Sequence, residues 1–368
     1  MDRNMICLDD FEKSAKEKLL RAEFSFYAAG TDDEVTLRDC GEAFSRYRLR
    51  PRILRNVSTR DLRTSILGQT VAMPIGISPT AIQGFAHMDK EIGTAIAAAK
   101  AGVVMGISIH STSTIEDIAK AAPSGNHWMQ LQFMKNPRIA ETVVLKAEAA
   151  GFKALVVTCD MPVLGKRKVL GLRFHPRHIM VNLDLPGDAE VAEYKANGDD
   201  MLMRYGASQF ISPTWEDVRK LKQRTKLPLV AKGVTTAAGA IEAIENGADA
   251  IFVSAHGGRQ LDGVRAPIDA LSEVVKAVKH TGVEIYLDGG VRNGSDVFKA
   301  LALGANAVFL GRPVIWGLAH DGTNGVSQVL DIIRDEFSRT MALMGCSCIR
   351  DIQPSMVIHE SEYLNAKL

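Results

Sequence analysis

The stretch LPLVAKGVTTAAGAIEAIENGADAIFVSAHG, residues 227–257, holds a strand, a helix and a second strand in immediate succession. LPLVAKG (227–233) and AIFVSAHG (250–257) are short apolar runs that halt at glycine or a polar residue. AAGAIEAIENG between them has amphipathic helical spacing and stops at glycine, as helix C-termini often do. Two strands separated by a helix pair in parallel through a right-handed crossover.

The alternation recurs along the chain. Further apolar runs are MPIGISPT (73–80), VVMGIS (103–108), HWMQLQF (127–133), ALVVTCD (154–160), EIYLDGG (284–290) and AVFLGRP (307–313), most of them separated by amphipathic stretches. Eight such units fit closure better than an open sheet, so the fold class is α/β, a single (β/α)8 TIM barrel over residues 70–345. Residues 1–69 read as a helical cap, 346–368 as a tail, and the whole of 1–368 as one domain. After the fourth strand, residues 161–213 break the rhythm with glycine, proline and charge, the pattern of a lid-like loop.

Composition narrows the partner. Among 368 residues, 44 Lys and Arg nearly cancel 43 Asp and Glu, with no long run of one sign, which argues against nucleic acid and against an anionic membrane surface. A small molecule is the expected partner. The cysteines at 7, 40, 159, 346 and 348 lack metal-ligand spacing, so no metal is expected and a reducing compartment is. The opening MDRNMICLDDFEKSAKEKLL is charged throughout, and no apolar run is long enough for a span, which excludes a signal peptide and a membrane helix. The chain closes with Ala366-Lys367-Leu368, which resembles a peroxisomal address of the SKL type; otherwise the expected location is cytoplasmic.

Barrel chemistry gathers where the strands end, because the loops there converge. DGGVRNG and LGRP close the last two strands with glycines for close backbone approach and an arginine each, the usual phosphate site of this architecture. Lys232, ending an apolar strand, could be a Schiff-base nucleophile, a counter-ion or a core residue that snorkels outward. Near a cofactor phosphate it suits the pyrimidine end of a flavin, where reduction places negative charge. His256 is the candidate base and Asp160 the carboxylate that would hold its ring; the plainer reading is a buried histidine satisfied by carbonyls. Arg259 and Arg167 offer permanent charge for a carboxylate, although Arg167 lies in GKRK and could be an exposed basic turn.

With these residues assembled, the sequence resembles the FMN-dependent α-hydroxy-acid oxidase family. The likeness runs nearly end to end through AGTDDEVTL, AFSRYRLRPRIL, ISPTAIQGFAH, TCDMPVLGKR, LPLVAKG, SAHGGRQLDG, LDGGVRNGSDVFKALALGA and FLGRP. The resemblance implies FMN as cofactor, with Pro79, Thr80 and Ala81 along the flavin by backbone and Ser108, Gln130 and Thr158 at its ring edge. It implies Lys232 at N1 and C2, and Asp288, Gly290, Arg292, Gly311 and Arg312 around the ribityl phosphate. His256 is then the base, Asp160 its partner, and Arg167 with Arg259 the carboxylate clamp.

The departures concern the substrate pocket. Phe26 stands where short-chain members carry a tyrosine, Gln132 replaces a second tyrosine, His110 a tryptophan, and Ala255 the asparagine of an NHG triplet. The implied activity is oxidation of an L-2-hydroxy acid to the 2-oxo acid with O2 reduced to H2O2, on a substrate longer or more apolar than glycolate, by a homotetramer. The alternatives are a dehydrogenase that passes electrons to another protein and an FMN-binding homologue, weak or inactive as an oxidase, that acts as a binding or regulatory protein.

Overall fold

A computed structural model describes residues 5–168, 180–183 and 211–365. Most of the 161–213 segment and the Ala366-Lys367-Leu368 end lie outside the described residues. Eight parallel strands close into a barrel: β4 (Ile75–Ile77), β5 (Val104–Ile107), β6 (Asn126–Leu131), β7 (Ala154–Thr158), β8 (Leu229–Val234), β9 (Ala250–Val253), β10 (Glu284–Asp288) and β11 (Ala307–Leu310). Three three-residue strands precede them, β1 (Tyr47–Leu49), β2 (Thr64–Ile66) and β3 (Gln69–Val71), and β12 (Val357–His359) follows. The fold class expected from the alternation is the one found, and β11 closes on β4 through Val308 opposite Ile75.

Each barrel strand lies within its expected run or one residue outside it, and most stop two to four residues before its end. The residues left over, such as Pro79-Thr80 and His256-Gly257, bend away from the ladder to form the loops above it. An apolar pattern marks burial, and these loop starts are nearly as buried as the strands, so pattern alone overshoots.

Two apolar layers hold the barrel. Its interior is filled by Val156, Val230, Phe252, Tyr286, Phe309 and Trp128, each at most 1% exposed. The β2–β3 hairpin adds Ile66 and Val71 to the same cluster and so plugs the N-terminal end. Fully burying a side chain of this size contributes about 1.5–3 kcal/mol. Outside the strands lie α4 (Lys90–Ala101), α5 (Ile115–Ala121), α6 (Pro137–Ala149), α7 (Trp215–Arg224), α8 (Ala237–Glu245), α9 (Pro267–Val278), α10 (Gly294–Ala302) and α11 (Arg312–Leu343), the last kinked at Asp321-Gly322. Several start on a side-chain cap that accepts an N–H of the first turn: Thr114 from Asp117, Thr236 from Gly239, Asn293 from Asp296.

The N-terminal region supplies α1 (Leu8–Lys18), α2 (Arg21–Ala28) and α3 (Val35–Glu42). α1 leans on α11 through Phe11 against the His320 ring and a 2.7 Å contact from Ser14 Oγ to His320 Nδ1. β1 and β12 pair antiparallel, Tyr47 opposite His359, so the tail is stitched to the cap. Neither three-residue strand carries enough periodicity to be read from sequence.

Candidate active site

Above the interior layer the loops enclose a cavity of about 320 Å³. Phe309 is part of its floor, and the Lys232 ammonium sits 5.2 Å above the Phe252 ring. Every candidate site residue named from sequence lines this cavity except Asp160, which stands behind His256.

Three walls can be distinguished. The first joins β8, β9 and β10. Lys232 Nζ lies 2.8 Å from Ser254 Oγ and 3.1 Å from Asp288 Oδ2, with both charged side chains under one-tenth exposed. Ser254 Oγ also accepts the His256 N–H at 3.0 Å and donates to Asp288 Oδ1, while Ser78 Oγ donates to Asp288 Oδ2 at 2.8 Å. A fully buried hydroxyl therefore ties the cation, the carboxylate and the histidine backbone together. Ser254 and Ser78 escape a motif search because serine at a strand end is common; their inward position, two before His256 and Thr80, was the available signal.

The second wall is the proton site. His256 Nδ1 is 2.9 Å from Asp160 Oδ1, so Nε2 is the nitrogen left for the cavity. His256 holds the left-handed backbone region at φ +53°, a cost of about 1–3 kcal/mol that a well-packed site can sustain. Burial pushes the Asp160 carboxyl up, but His256 and Lys232 outweigh it and hold the group below its ordinary range. The pair thus keeps a carboxylate behind the ring. Gly233, at φ +105°, makes room for it: a Cβ there would lie 2.5 Å from the Asp160 carboxyl carbon.

The third wall is an arc of guanidiniums, Arg292, Arg312, Arg259 and Arg167, close enough that Arg292 lowers Arg312, and Arg167 and Arg312 lower Arg259, each after burial. Burial first and Arg292 second bring Arg312 down to about 10; burial alone brings Arg167 to about 10. Arg259 Nη1 donates to the carbonyls of Phe26, Tyr27 and Ala29, and Arg312 Nε to that of Tyr27, so both cations also cap the C-terminal end of α2. The Phe26 ring lies 5.6 Å from the Arg167 guanidinium and 5.5 Å from that of Arg259. Arg167 Nη1 is buried without a hydrogen-bond partner among the described residues.

The loops after β4 and β5 are clasped by Glu91 of α4, which is fully buried. Its carboxylate accepts from Gln83 N, Thr112 N, Thr112 Oγ1 and Ser113 Oγ at 2.8–3.0 Å. Four donors compensate a charge that would otherwise be costly to bury. The clasp holds Pro79, Thr80 and Ala81 on one side and Ser108 and His110 on the other. Burial and the nearby His256 drive His110 down to about 4, so its ring is neutral near pH 7.

Chemically, the lining among the described residues carries five Lys and Arg cations against Asp288 as its carboxylate, and Lys232 is already paired with that one. The remaining arc fits anions, a phosphate by the Gly290 and Gly311 loops and a carboxylate by Arg167 and Arg259. Gly290 is confined for the first purpose: a Cβ would meet the Cys40 carbonyl oxygen at 1.8 Å. Gly311 precedes the first turn of α11, a helix N-terminus that favours negative charge. Asp288 is the exception among the residues expected around a phosphate, since a carboxylate there can accept from a hydroxyl but repels the phosphate itself.

A family model described as FMN-dependent dehydrogenase matches residues 15–359. The chain is similar to human 2-hydroxyacid oxidase 1, at 45% identity over 96% of each chain. It is similar to glycolate oxidase 1 of Zea mays, at 44% identity over 97% of this chain and 96% of the other. Among solved structures, a soluble mutant of the membrane-associated (S)-mandelate dehydrogenase from Pseudomonas putida superposes with a TM-score of 0.88 at 33% identity, over 97% of this chain and 100% of that one. Among the described residues no helix is long and apolar enough to cross a membrane.

Proposed function

The chain belongs to the FMN-dependent dehydrogenase family, and from that premise we propose that it oxidises an L-2-hydroxy acid larger than glycolate to the 2-oxo acid, with O2 reduced to H2O2. The protein is an FMN-dependent oxidoreductase of the 2-hydroxy-acid type. The observation that carries the finer reading is His256 backed by Asp160 at 2.9 Å on the wall of a cavity rimmed by guanidiniums.

The cavity's residues fit the cofactor: an arc of cations short of anionic partners, and a glycine cradle that a Cβ would fill. Arg292, Arg312, Gly290 and Gly311 would hold the phosphate, Asp288 a ribityl hydroxyl, and Lys232 the pyrimidine end. Pro79, Thr80 and Ala81 would lie along the ring by backbone, with Ser108, Gln130 and Thr158 at its edge. When bound, FMN supplies the two-electron acceptor that takes the pair from the substrate and returns it to O2.

The remaining work falls to this chain. Arg167 and Arg259 orient the substrate carboxylate, and the buried Phe26 ring between them excludes water. His256 Nε2 takes one proton from the substrate, and Asp160 stabilises the imidazolium that forms. Phe26 brings no hydroxyl, and Met161, Leu164 and Met180 add apolar lining, which together favour a substituent larger than hydrogen on Cα. The Ala366-Lys367-Leu368 end supports delivery to peroxisomes, where peroxide is handled, and the assembly proposed is a homotetramer.

The test is anaerobic. The purified yellow holoprotein is mixed with L-2-hydroxy acids of short, long and aromatic side chain and its absorbance followed. Bleaching by an L-acid, with peroxide formed on readmitting air, supports the oxidase. Flavin that stays oxidised across the panel supports the binding homologue instead, and apoprotein that takes up no FMN removes both readings.

A further inference from the structure

On the hydroxy-acid reading of the site, which this inference deepens, two of the three heavy substituents on the substrate's Cα have partners. The arginines take the carboxylate and His256 faces the hydroxyl. The third substituent meets the rest of the lining, which includes Gln132.

Gln132 is 3% exposed and lines the cavity from the segment that leaves β6. Its amide nitrogen is buried and has no hydrogen-bond partner among the described residues. Gln130, two positions earlier on the same face, is the internal control. Its Oε1 accepts the Ile109 N–H at 3.1 Å, and its Nε2 donates to Thr158 Oγ1 at 2.9 Å and to the Leu131 carbonyl at 3.0 Å. Gln130 ties β6 to β7 and to the loop after β5, whereas the Gln132 amide nitrogen is left open. A buried amide donor without an acceptor is costly, and while those of Gln83, Asn126 and Asn182 lie off the cavity, that of Gln132 lines it, where a ligand can bring the acceptor. The donor is neutral, and an amide alone would not offset desolvation of a second carboxylate.

We propose that Gln132 is a specificity-determining residue whose amide donates to an uncharged oxygen on the third or fourth carbon of the substrate. The enzyme then prefers L-2-hydroxy acids with a hydroxyl or carbonyl in the side chain over alkyl ones of equal length. Beyond that oxygen, Met161, Leu164 and Met180 accept an apolar continuation.

The experiment uses the holoenzyme and matched pairs that exchange a methyl for a hydroxyl: L-glycerate against L-2-hydroxybutanoate, and L-2,4-dihydroxybutanoate against L-2-hydroxypentanoate. Flavin reduction without oxygen gives kcat/KM for each. One neutral hydrogen bond predicts a preference of roughly tenfold for the oxygenated member of at least one pair. Gln132→Leu should bring that ratio to about one, chiefly by raising the alkyl member. Ratios at or below one in both wild-type pairs, or a preference that survives Gln132→Leu, would overturn the proposal. The wild-type ratios decide it even where the variant does not hold FMN. Failure of all four acids to reduce the flavin would instead remove the oxidase reading, and this proposal with it.

Discussion

Asp160→Asn tests the proton site most directly. The carboxylate touches the ring at 2.9 Å and is 16% exposed, so solvent screens the contact little. Two unit charges about 4 Å apart at an effective dielectric near 20 interact by about 4 kcal/mol, and a hydrogen bond to a charged group contributes about 1.5–3 kcal/mol. Taking about 3 kcal/mol as the share lost when the imidazolium forms, flavin reduction should slow roughly a hundredfold. An asparagine can also donate to Nδ1 and fix the wrong tautomer, which would deepen the loss. Because Asp160 is held below the ordinary carboxylate range, it is ionised throughout neutral pH, and the parent has the carboxylate behind the ring from about pH 6 to about pH 9. Stopped-flow absorbance under nitrogen measures the rate, and the visible spectrum verifies that FMN remains bound. Reduction within about threefold of the parent, with flavin in place, would refute Asp160 as support for the base.

Gly290→Ala should abolish FMN retention and lower Tm, because its Cβ meets the Cys40 carbonyl at 1.8 Å and the position sits at φ +87°; equilibrium dialysis with FMN and a melt give the two readings. His110 carries a folded value of about 4 against an ordinary 6.5, so between those limits the unfolded chain binds a proton that the native protein refuses. Stability therefore falls as pH drops through that window, and His110→Asn should lose less Tm than the parent between about pH 7 and about pH 4.5. Removing Ala366-Lys367-Leu368 should leave activity intact and move a fluorescent fusion from peroxisomes to cytosol; unchanged location would dismiss the address.

The barrel was legible because buried parallel strands and amphipathic helices impose different periods on the chain, and eight repetitions leave little freedom. The site was legible at the same resolution, since residues that follow a strand must face the common cavity. His256, Arg259 and Lys232 could be named from position, and so could Asp160 as the partner of His256, whereas the partners of Lys232 and Arg259 could not. That Asp288 pairs with Lys232 is a matter of side-chain direction across two strands, which no local pattern shows. That Arg259 and Arg312 also bind the end of α2 depends on where the cap docks, and nothing local in residues 21–29 announces it. The Glu91 clasp was missed because its four donors come from two loops that sequence treats as unrelated.

The pairing of β1 with β12 sets an order on biosynthesis. Phe26 and Tyr27 reach the pocket on a cap anchored by Arg259 and Arg312, and the segment after that cap is sewn down by residues 357–359. During synthesis, residues 47–49 wait for the strand that pairs with them while the earlier partners of the cap, Arg259 and Arg312, are already made. The cap over the pocket is therefore fixed at its far side only once residues 357–359 have been made and have paired with it.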